Sequence, residues 1–217
     1  MLTIPTLDGR HVRLVPLSMD HVDGLLAAAT QDRSTYGYTW VPDDRESMTA
    51  YVAGARSAHA EGREVPFCVI EQGSGRVVGS TRFLDLDVFA WPPRWPPGPT
   101  STGEAPSDVV PPTVAEIGST WYSSGAQRTG VNTECKLLLL TFAFDRWGVA
   151  RVSLKTDARN ARSRTAIARI GAVFEGVRRV HVPATDGTLR DSAYYSIVAQ
   201  EWPAVAQALE RRLAEGG

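Results

Sequence analysis

A polar, glycine-containing loop joins a β-rich run to a strongly apolar helical pattern in the second half of the chain. The first N–H groups of a helix lack intrahelical partners and carry partial positive charge, so a helix start after such a loop binds phosphate through its backbone. Arg128 adds a full positive charge beside it, and Thr133 offers a hydroxyl. The pattern predicts an anion site formed by Gln127, Arg128, Thr129, Gly130, Val131, Asn132 and Thr133.

The elements on either side of this loop form a βαβ unit. Residues 115–122 are β-rich and bounded by Ser and Gly, which indicates a strand. Residues 132–147 carry apolar side chains on more than one helical face, and Gly148 ends that helix. Residues 150–156 alternate as a strand does. This spacing predicts two parallel strands with a right-handed crossover.

The rest of the chain adds further strands and helices around this unit. Alternating or β-rich runs predict strands at residues 11–17, 65–71, 77–86, 173–182 and 189–198. Caps and apolar faces predict helices after Ser18, after Asp43 or Asp44 to about Glu61, after Asn160 to Gly171, and from Pro203. The fold class is therefore α/β (α+β), one domain with a mixed, mostly antiparallel, twisted sheet flanked by helices.

Composition agrees with one domain and excludes several classes of protein. The chain has 217 residues, a net charge of −1 and a pI of about 6.4, which argues against a dedicated nucleic-acid binder. The N-terminus lacks a signal-peptide pattern, and no apolar run approaches the roughly 20 residues of a membrane span. Cys68 and Cys135 lack metal-ligand spacing, which predicts a reduced, cytoplasmic protein without a metal site. A reactive Cys135 near the helix start is an alternative.

A proline-rich segment interrupts the sheet pattern at about residues 87–113. It contains most of the prolines of the chain and shows no periodicity. Such a composition predicts an extended insertion between two strands, and a loop this long is either functional or poorly ordered. Trp91 and Trp95 favour some packing on a surface.

Several motifs, in order, resemble those of the GNAT acetyltransferases. Residues 127–132 resemble the pyrophosphate loop of that family, Gln/Arg-x-x-Gly-x-Gly/Ala. The pair Asn160-x-x-Ser163 and residues 170–172 resemble its next motif, which usually closes with Gly-Phe. Residues 174–176, 190–195 and 201–202 narrow the resemblance to the branch that contains the ribosomal-protein N-terminal acetyltransferases. The resemblance covers roughly residues 10–203.

The resemblance implies a GNAT-like domain over residues 1–217 with acetyl-CoA as co-substrate. In that family two strands part at a β-bulge and the pantetheine enters between them, which assigns its binding to the backbone of Trp121 and Tyr122 and polarisation of the carbonyl to an N–H there. Asn160 would orient the pantetheine; its alternative is a plain helix cap. The acid tyrosine of the broad family is Ile167 here, so the resemblance assigns the acid role to Ser163. The alternative for Ser163 is a first-turn residue that satisfies a backbone group.

The general base is open between two residues. Glu116 occupies a position where some family members carry a catalytic glutamate, and burial there would raise its pKa. The alternative is a strand-end carboxylate paired with an arginine. His181 has an ordinary pKa that suits proton transfer, but a lone strand histidine is also a common hydrogen-bonded surface residue.

The acceptor implied by the resemblance is a primary amine, either a protein N-terminus or a small molecule, which attacks the thioester directly. The helix–loop–helix of residues 18–61 would form one wall of the acceptor site, with Tyr36, Tyr38 and Trp40 on it. Packing of these rings against the sheet edge is the alternative. Tyr194 and Tyr195 alternate across a strand, so one of them faces the cleft, and we name Tyr194 as the candidate.

Departures from the family pattern keep rival hypotheses open. Asn132 replaces the small last residue of the loop, and Ala172 replaces the usual aromatic residue. Asn132 in the loop and Ile167 at the tyrosine position are consistent with a non-catalytic CoA-binding module. The proline-rich insertion is consistent with a partner-binding or regulatory protein. A longer acidic donor such as succinyl-CoA suits the surplus of arginines at Arg178, Arg179 and Arg190. A homodimer is also open.

Overall fold

The computed structural model describes residues 2–89 and 110–216, which form one eight-stranded sheet with helices on both faces. The strands are β1 Leu7–Asp8, β2 Val12–Pro16, β3 Val65–Glu71, β4 Val77–Asp87, β5 Val114–Tyr122, β6 Arg151–Asp157, β7 Val173–Pro183 and β8 Leu189–Val198. The α-helices are α1 Val22–Thr30, α2 Arg45–Ala60, α3 Gly130–Thr141, α4 Ala161–Arg169 and α5 Trp202–Ala214. Most of the proline-rich insertion, residues 90–109 with both of its tryptophans, lies outside the described residues.

The sheet is mixed and mostly antiparallel, which confirms the predicted fold class. Its strand order is β1-β2-β3-β4-β5-β6-β8-β7. Every neighbouring pair is antiparallel except β5 and β6, which are parallel and are joined through α3 as the βαβ pattern predicts. The two-residue β1 carries no sequence pattern long enough to predict it.

Two apolar clusters cover the two faces of the sheet because side chains alternate along each strand. On β3, Val65, Phe67 and Val69 belong to the cluster that packs with α3 and α5. Cys68, between them, belongs to the cluster that packs with α1 and α2. The donor-binding elements and the expected acceptor wall therefore lie on opposite faces.

The helix that follows the loop differs from its predicted bounds at both ends. It begins at Gly130, two residues earlier than predicted, because the hydroxyl of Thr129 accepts the N–H of Val131 and caps it. Its last turn, Phe142–Trp147, is a π-helix, and Gly148 with φ of 68° ends it. The wider turn brings the rings of Phe142 and Trp147 to a centroid distance of 4.8 Å, packed on Phe83.

The residues predicted to cap helices lie at the starts of helical segments in the structure. The carboxylate of Asp44, not Asp43, accepts the N–H of Ser47 and starts α2. Ser18 starts a short 3-10 turn, Met19–His21, and α1 begins after it. Asn160 caps α4, and Gly171, with φ of 94°, follows its end.

A buried carboxylate on α3 fixes the start of that helix against the first strands. Glu134 is almost fully buried, and its oxygens accept the backbone N–H groups of Arg10, His11 and Val12 at 2.8, 2.6 and 2.7 Å. Gly9 has to be glycine here, because an added Cβ would lie 2.5 Å from the Glu134 carboxyl group. This contact ties the first strands to the helix that starts beside the cavity.

We expect Glu134→Ala to lower the free energy of unfolding by about 3 kcal/mol, because the buried N–H of Val12 and the partly buried N–H groups of Arg10 and His11 lose their acceptor. Urea unfolding measures it. The control is Glu210→Ala on an exposed face of α5, which should change the free energy by less than about 0.5 kcal/mol. Equal losses of unfolding free energy in the two variants would contradict the stabilising role of Glu134.

Candidate functional site

The central feature of the site is the parting of the two parallel strands. β5 and β6 pair only at residues 114–116 with 151–153, and their later residues do not pair with each other. A cavity of about 830 Å³ lies at this parting, within the range of roughly 300–1,000 Å³ that small-molecule sites occupy. Residues 117–122 of β5 and 154–156 of β6 line it.

A β-bulge shapes the β5 side of the cavity. Trp121 pairs with Ser80 and Gly118 with Arg82, so two residues of β5, Ser119 and Thr120, oppose one residue of β4. Ser119 has φ of 46°. Both bulge residues line the cavity. Bulges re-aim the backbone in this way next to binding sites.

Close packing at the bulge requires glycine at two positions, Gly79 on β4 and Gly118 on β5. An added Cβ on Gly79 would lie 2.1 Å from the carbonyl oxygen of Trp121. On Gly118 it would lie 2.6 Å from the Leu84 side chain and 2.9 Å from Oε1 of Glu116. The backbone at the bulge and the Glu116 carboxyl group thus depend on these two glycines.

The predicted anion loop lies at one end of the cavity. Nε2 of Gln127 donates to the carbonyl oxygen of Tyr122 at 2.9 Å and to the hydroxyl of Thr35 at 3.1 Å. Arg128 has a left-handed backbone, φ 61°, and Thr129 caps α3. Gln127, Arg128 and Asn132 line the cavity, whereas four other residues of the predicted set are not among the lining residues: Thr129, Gly130, Val131 and Thr133. The N-terminus of α3 and one cation thus face the cavity edge.

The start of α4 forms another wall of the cavity, beside the loop. Asn160 Oδ1 accepts the N–H of Ser163 at 3.0 Å, so Asn160 is a helix cap, and both residues line the cavity. Nη1 of Arg162 donates to Oε1 of Gln127 at 3.3 Å and Nη2 to the carbonyl of Thr35, which joins α4 to the loop. Ile167 is buried in the same wall, so no hydroxyl stands at that position.

Glu116 lies at the point where β5 and β6 part. Its carboxyl group is 3% exposed, lines the cavity and lies 2.9 Å from Nζ of Lys155, which is also 3.3 Å from Asp85. Burial raises the pKa of Glu116 to about 7, although the hydrogen bond and charge of Lys155 act against it. Burial alone would lower the pKa of Lys155, but the hydrogen bond and charge of Glu116, together with Asp85 and Tyr194, outweigh burial and raise it. The partner of Glu116 is a lysine on the facing strand and not an arginine.

Aromatic side chains line the cavity on the face that carries α1 and α2. Tyr36 is buried and contacts Trp121 edge-on at 6.1 Å between ring centroids, so part of this cluster does pack against the sheet. Tyr38 and Trp40 are exposed, and all three line the cavity. Tyr51 on α2 lines it too, and its ring lies 6.2 Å from that of Trp40. The sequence analysis missed Tyr51 because a single aromatic residue on a helix face indicates packing as readily as a site.

His181 and Tyr194 are not among the residues that line the cavity. They contact each other, with 3.2 Å between the Tyr194 hydroxyl and His181 Nε2, and His181 Nδ1 lies 3.0 Å from the hydroxyl of Ser192. Burial, and then the charge of Arg178, lower the pKa of His181. The neighbouring Tyr195 is buried in the core, as alternation requires.

Two buried groups on α3 were not named as site residues. Lys136 is 5% exposed, lines the cavity and donates from Nζ to the Thr120 hydroxyl at 2.9 Å. Cys135 is buried on the core side, and burial raises its pKa to about 12, as it does for Cys68. Burial and the raised pKa argue against the alternative of a reactive Cys135.

The described residues contain neither a metal-binding cluster nor a membrane-spanning helix. Residues 2–89 and 110–216 contain no group of three or more His, Cys, Asp or Glu side chains arranged to hold a metal ion. In the same part of the chain, none of the helices has the length and apolar character needed to cross a membrane.

Comparisons with known proteins agree with this geometry. Residues 11–173 match the family described as Acetyltransferase (GNAT) domain. Over 88 residues, 41% of this chain, the sequence is 33% identical to YdaF of Bacillus subtilis (strain 168), which is provisionally named a ribosomal N-acetyltransferase; the match spans about half, 47%, of that relative. A GCN5-related N-acetyltransferase from Brucella melitensis has a TM-score of 0.78 and 28% identity, over 97% of this chain and 86% of that chain. RimJ of Mycobacterium smegmatis, solved with CoA-disulfide, shares the fold with a TM-score of 0.75 and 20% identity, over 96% and 95% of the two chains.

The environment of Glu116 makes a measurable prediction. Lys155→Met should raise the pKa of the Glu116 carboxyl group further above 7, because the cation lowers it, whereas Asp85→Asn should lower it, because the Asp85 carboxylate raises it. Asn suits the left-handed backbone at Asp85, φ 46°, so that variant should fold. The measurement is a pH titration of the Glu side-chain carboxyl carbon by NMR, with Glu116→Gln to assign the signal. Shifts in the same direction for both variants would refute this account.

Proposed function

Since this chain belongs to the GNAT acetyltransferase family and is an N-acetyltransferase, we propose that it moves an acetyl group from acetyl-CoA to a primary amine by direct attack, without a covalent enzyme intermediate. The proposal rests on one observation. The cavity between the parted β5 and β6 has the N-terminus of α3 at one end and a buried carboxyl group of raised pKa, Glu116, at the other. Phosphate binding and proton acceptance are thus available at the two ends of one cavity.

The residues at the loop end fit a pyrophosphate. The N–H groups of the first turn of α3, except that of Val131, which Thr129 accepts, and the guanidinium of Arg128 would hold its oxygens. Arg162 supplies a second cation beside Gln127. The unpaired edges of residues 117–122 and 154–156 offer backbone groups to the amides of a pantetheine arm. The CoA-disulfide bound to RimJ, a protein of the same fold, supports this use of the cavity.

We assign the proton transfers to Glu116, at the other end of the cavity, and to Ser163, on the wall that α4 forms. Glu116 accepts the proton that the amine loses as its nitrogen attacks the thioester carbon, directly or through water. The C–N bond forms and the C–S bond breaks, and the hydroxyl of Ser163 protonates the departing thiolate. A backbone N–H at the Ser119–Trp121 bulge stabilises the negative charge that develops on the carbonyl oxygen. His181 is the weaker candidate for the base because it does not line the cavity.

The acceptor enters from the aromatic face in this proposal. Tyr38, Trp40 and Tyr51 form an open wall on the side of α2, and such rings bind the apolar part of an amine while Glu116 lies at the end of the cavity. A protein N-terminus is the acceptor class we favour, since YdaF carries a ribosomal N-acetyltransferase name. A small-molecule amine is the alternative. A cytoplasmic location and a homodimer stay predictions, to be tested by fractionation and by light scattering.

The first prediction concerns the donor. Free CoA at about 100 times its Kd should add about 2.7 kcal/mol of stability, which raises Tm by about 5–10 °C for a domain of this size. Arg128→Gly removes the charge and keeps the left-handed backbone accessible, so it should weaken CoA binding by roughly tenfold without lowering the Tm of the free protein. Arg146→Ala, exposed at the far end of the same helix, is the control. If saturating CoA leaves the Tm of the wild type unchanged, the proposal is wrong.

The second prediction concerns the base. Glu116→Gln should lower kcat/KM for acetylation of an N-terminal peptide or small amine by about 10²- to 10⁴-fold. Because only the ionised carboxylate accepts a proton, the wild-type rate should rise with pH through about 7. In the variant this limb should be replaced by a rise at the higher pH at which the amine itself loses its proton. Release of free CoA measures the rate, with Glu210→Gln as the control. A variant that keeps both its rate and the limb would show that Glu116 is not the base.

A further inference from the structure

Lys136 is a buried cation on the wall of the donor cavity. It lies one helical turn after Asn132, which also lines the cavity, so the two side chains share a face of α3. Its Nζ donates to Thr120 Oγ1, which is 2.7 Å from the hydroxyl of Thr81. Lys136 and Lys155 are the only lysines of the chain, and both line this one cavity.

Two other cations near the site have carboxylate partners, and Lys136 does not. Lys155 pairs with Glu116 and Asp85, and Arg82 pairs with Glu64 at 2.7 Å. Among the described residues no carboxylate lies within ion-pair distance of Lys136, whose one hydrogen bond leaves two of its three N–H groups available. A buried ammonium without an anion is costly to maintain, and burial lowers its pKa to about 8, so it is still largely protonated at neutral pH.

The position of Lys136 points to the donor and not to the acceptor. Thr120 precedes Trp121, whose backbone we assign to the thioester end of the donor, but the Trp121 side chain packs with α1 and α2 on the acceptor face. Lys136 contacts Thr120 from the opposite face, that of α3. Ile117, Leu154 and Ile167 line the cavity on this face too, so a carbon chain that enters here is bordered by apolar groups and ends near an ammonium.

We propose that Lys136 determines donor specificity: it binds a carboxylate at the end of the acyl group, so that, besides acetyl-CoA, the enzyme takes a short dicarboxylic acyl-CoA of the succinyl class and binds it in preference to a neutral acyl-CoA of the same shape. The inference rests on the proposed acyl-CoA function and names a further donor class for that site. The transfer chemistry is unchanged, because the terminal carboxylate stays intact while the C–S bond breaks and the C–N bond forms.

The test compares three ligands by calorimetry at pH 7: free CoA, succinyl-CoA and 4-methylpentanoyl-CoA, in which two methyl groups replace the carboxylate oxygens. The wild type should bind succinyl-CoA at least about tenfold more tightly than the neutral isostere, as expected for a buried charged hydrogen bond. Lys136→Met keeps the length and removes the charge, and it should abolish that ratio with unchanged affinity for free CoA. Thr120→Val removes the hydrogen bond but keeps the ammonium, and it should keep the ratio.

Three results would overturn the inference. Equal affinities of the wild type for the two thioesters would do so, as would a ratio that survives in Lys136→Met. An acyl adduct on Lys136 in the intact mass would show that the side chain is an acylation site and not a partner of the carboxylate. Failure of the wild type to bind free CoA is a different result, because it would remove the proposed function itself.

Discussion

The site depends on one constraint, that β5 and β6 pair for three residues and then part. A gap inside a sheet leaves backbone groups unpaired, which is costly unless each strand keeps its other neighbour or a ligand supplies partners. Here β5 stays paired with β4 and β6 with β8 along their remaining lengths, so the opening persists without unravelling the sheet. The helix that links the two strands starts at one end of this gap, and the carboxyl group of Glu116 closes the other.

Glycine and the bulge make this opening sterically accessible. The two-against-one pairing at Ser119 and Thr120 turns part of β5 toward the cavity, and Gly79 allows β4 to remain close enough to pair across it. Gly118 leaves room for the Glu116 carboxyl group beside Leu84. The backbone of the bulge and the position of the Glu116 carboxyl group therefore depend on each other. A side chain at Gly79 or Gly118 would disturb both.

Charge is distributed unevenly around the cavity. At the parting point a carboxyl group, a lysine and a second carboxylate compensate one another, so Glu116 can hold a proton near neutral pH without an uncompensated charge. On the α3 face the second lysine has only a threonine hydroxyl. The first cluster suits proton transfer, in which the charge of the carboxyl group changes. The second suits binding of an anion that arrives with the ligand.

Local sequence signals were enough to predict the elements and the loop. Periodicity, caps and glycines predicted the β5–α3–β6 unit, the hairpin strands and the capped helices, because these signals act between residues close in the chain. The ordered motifs also indicated the family, and Glu116, Ser163, Asn160 and the Tyr36–Trp40 aromatic residues do lie on one cavity. The long-range partners of these residues depend on the tertiary structure. Lys155 beside Glu116, Tyr51 on the aromatic wall and Lys136 beside Thr120 come from other elements. His181 and Tyr194 are not among the lining residues, although the Tyr194 ring lies 5.9 Å from Nζ of Lys155. Such pairings depend on strand order, register and burial, which no local pattern encodes, and burial in particular sets the pKa of Glu116.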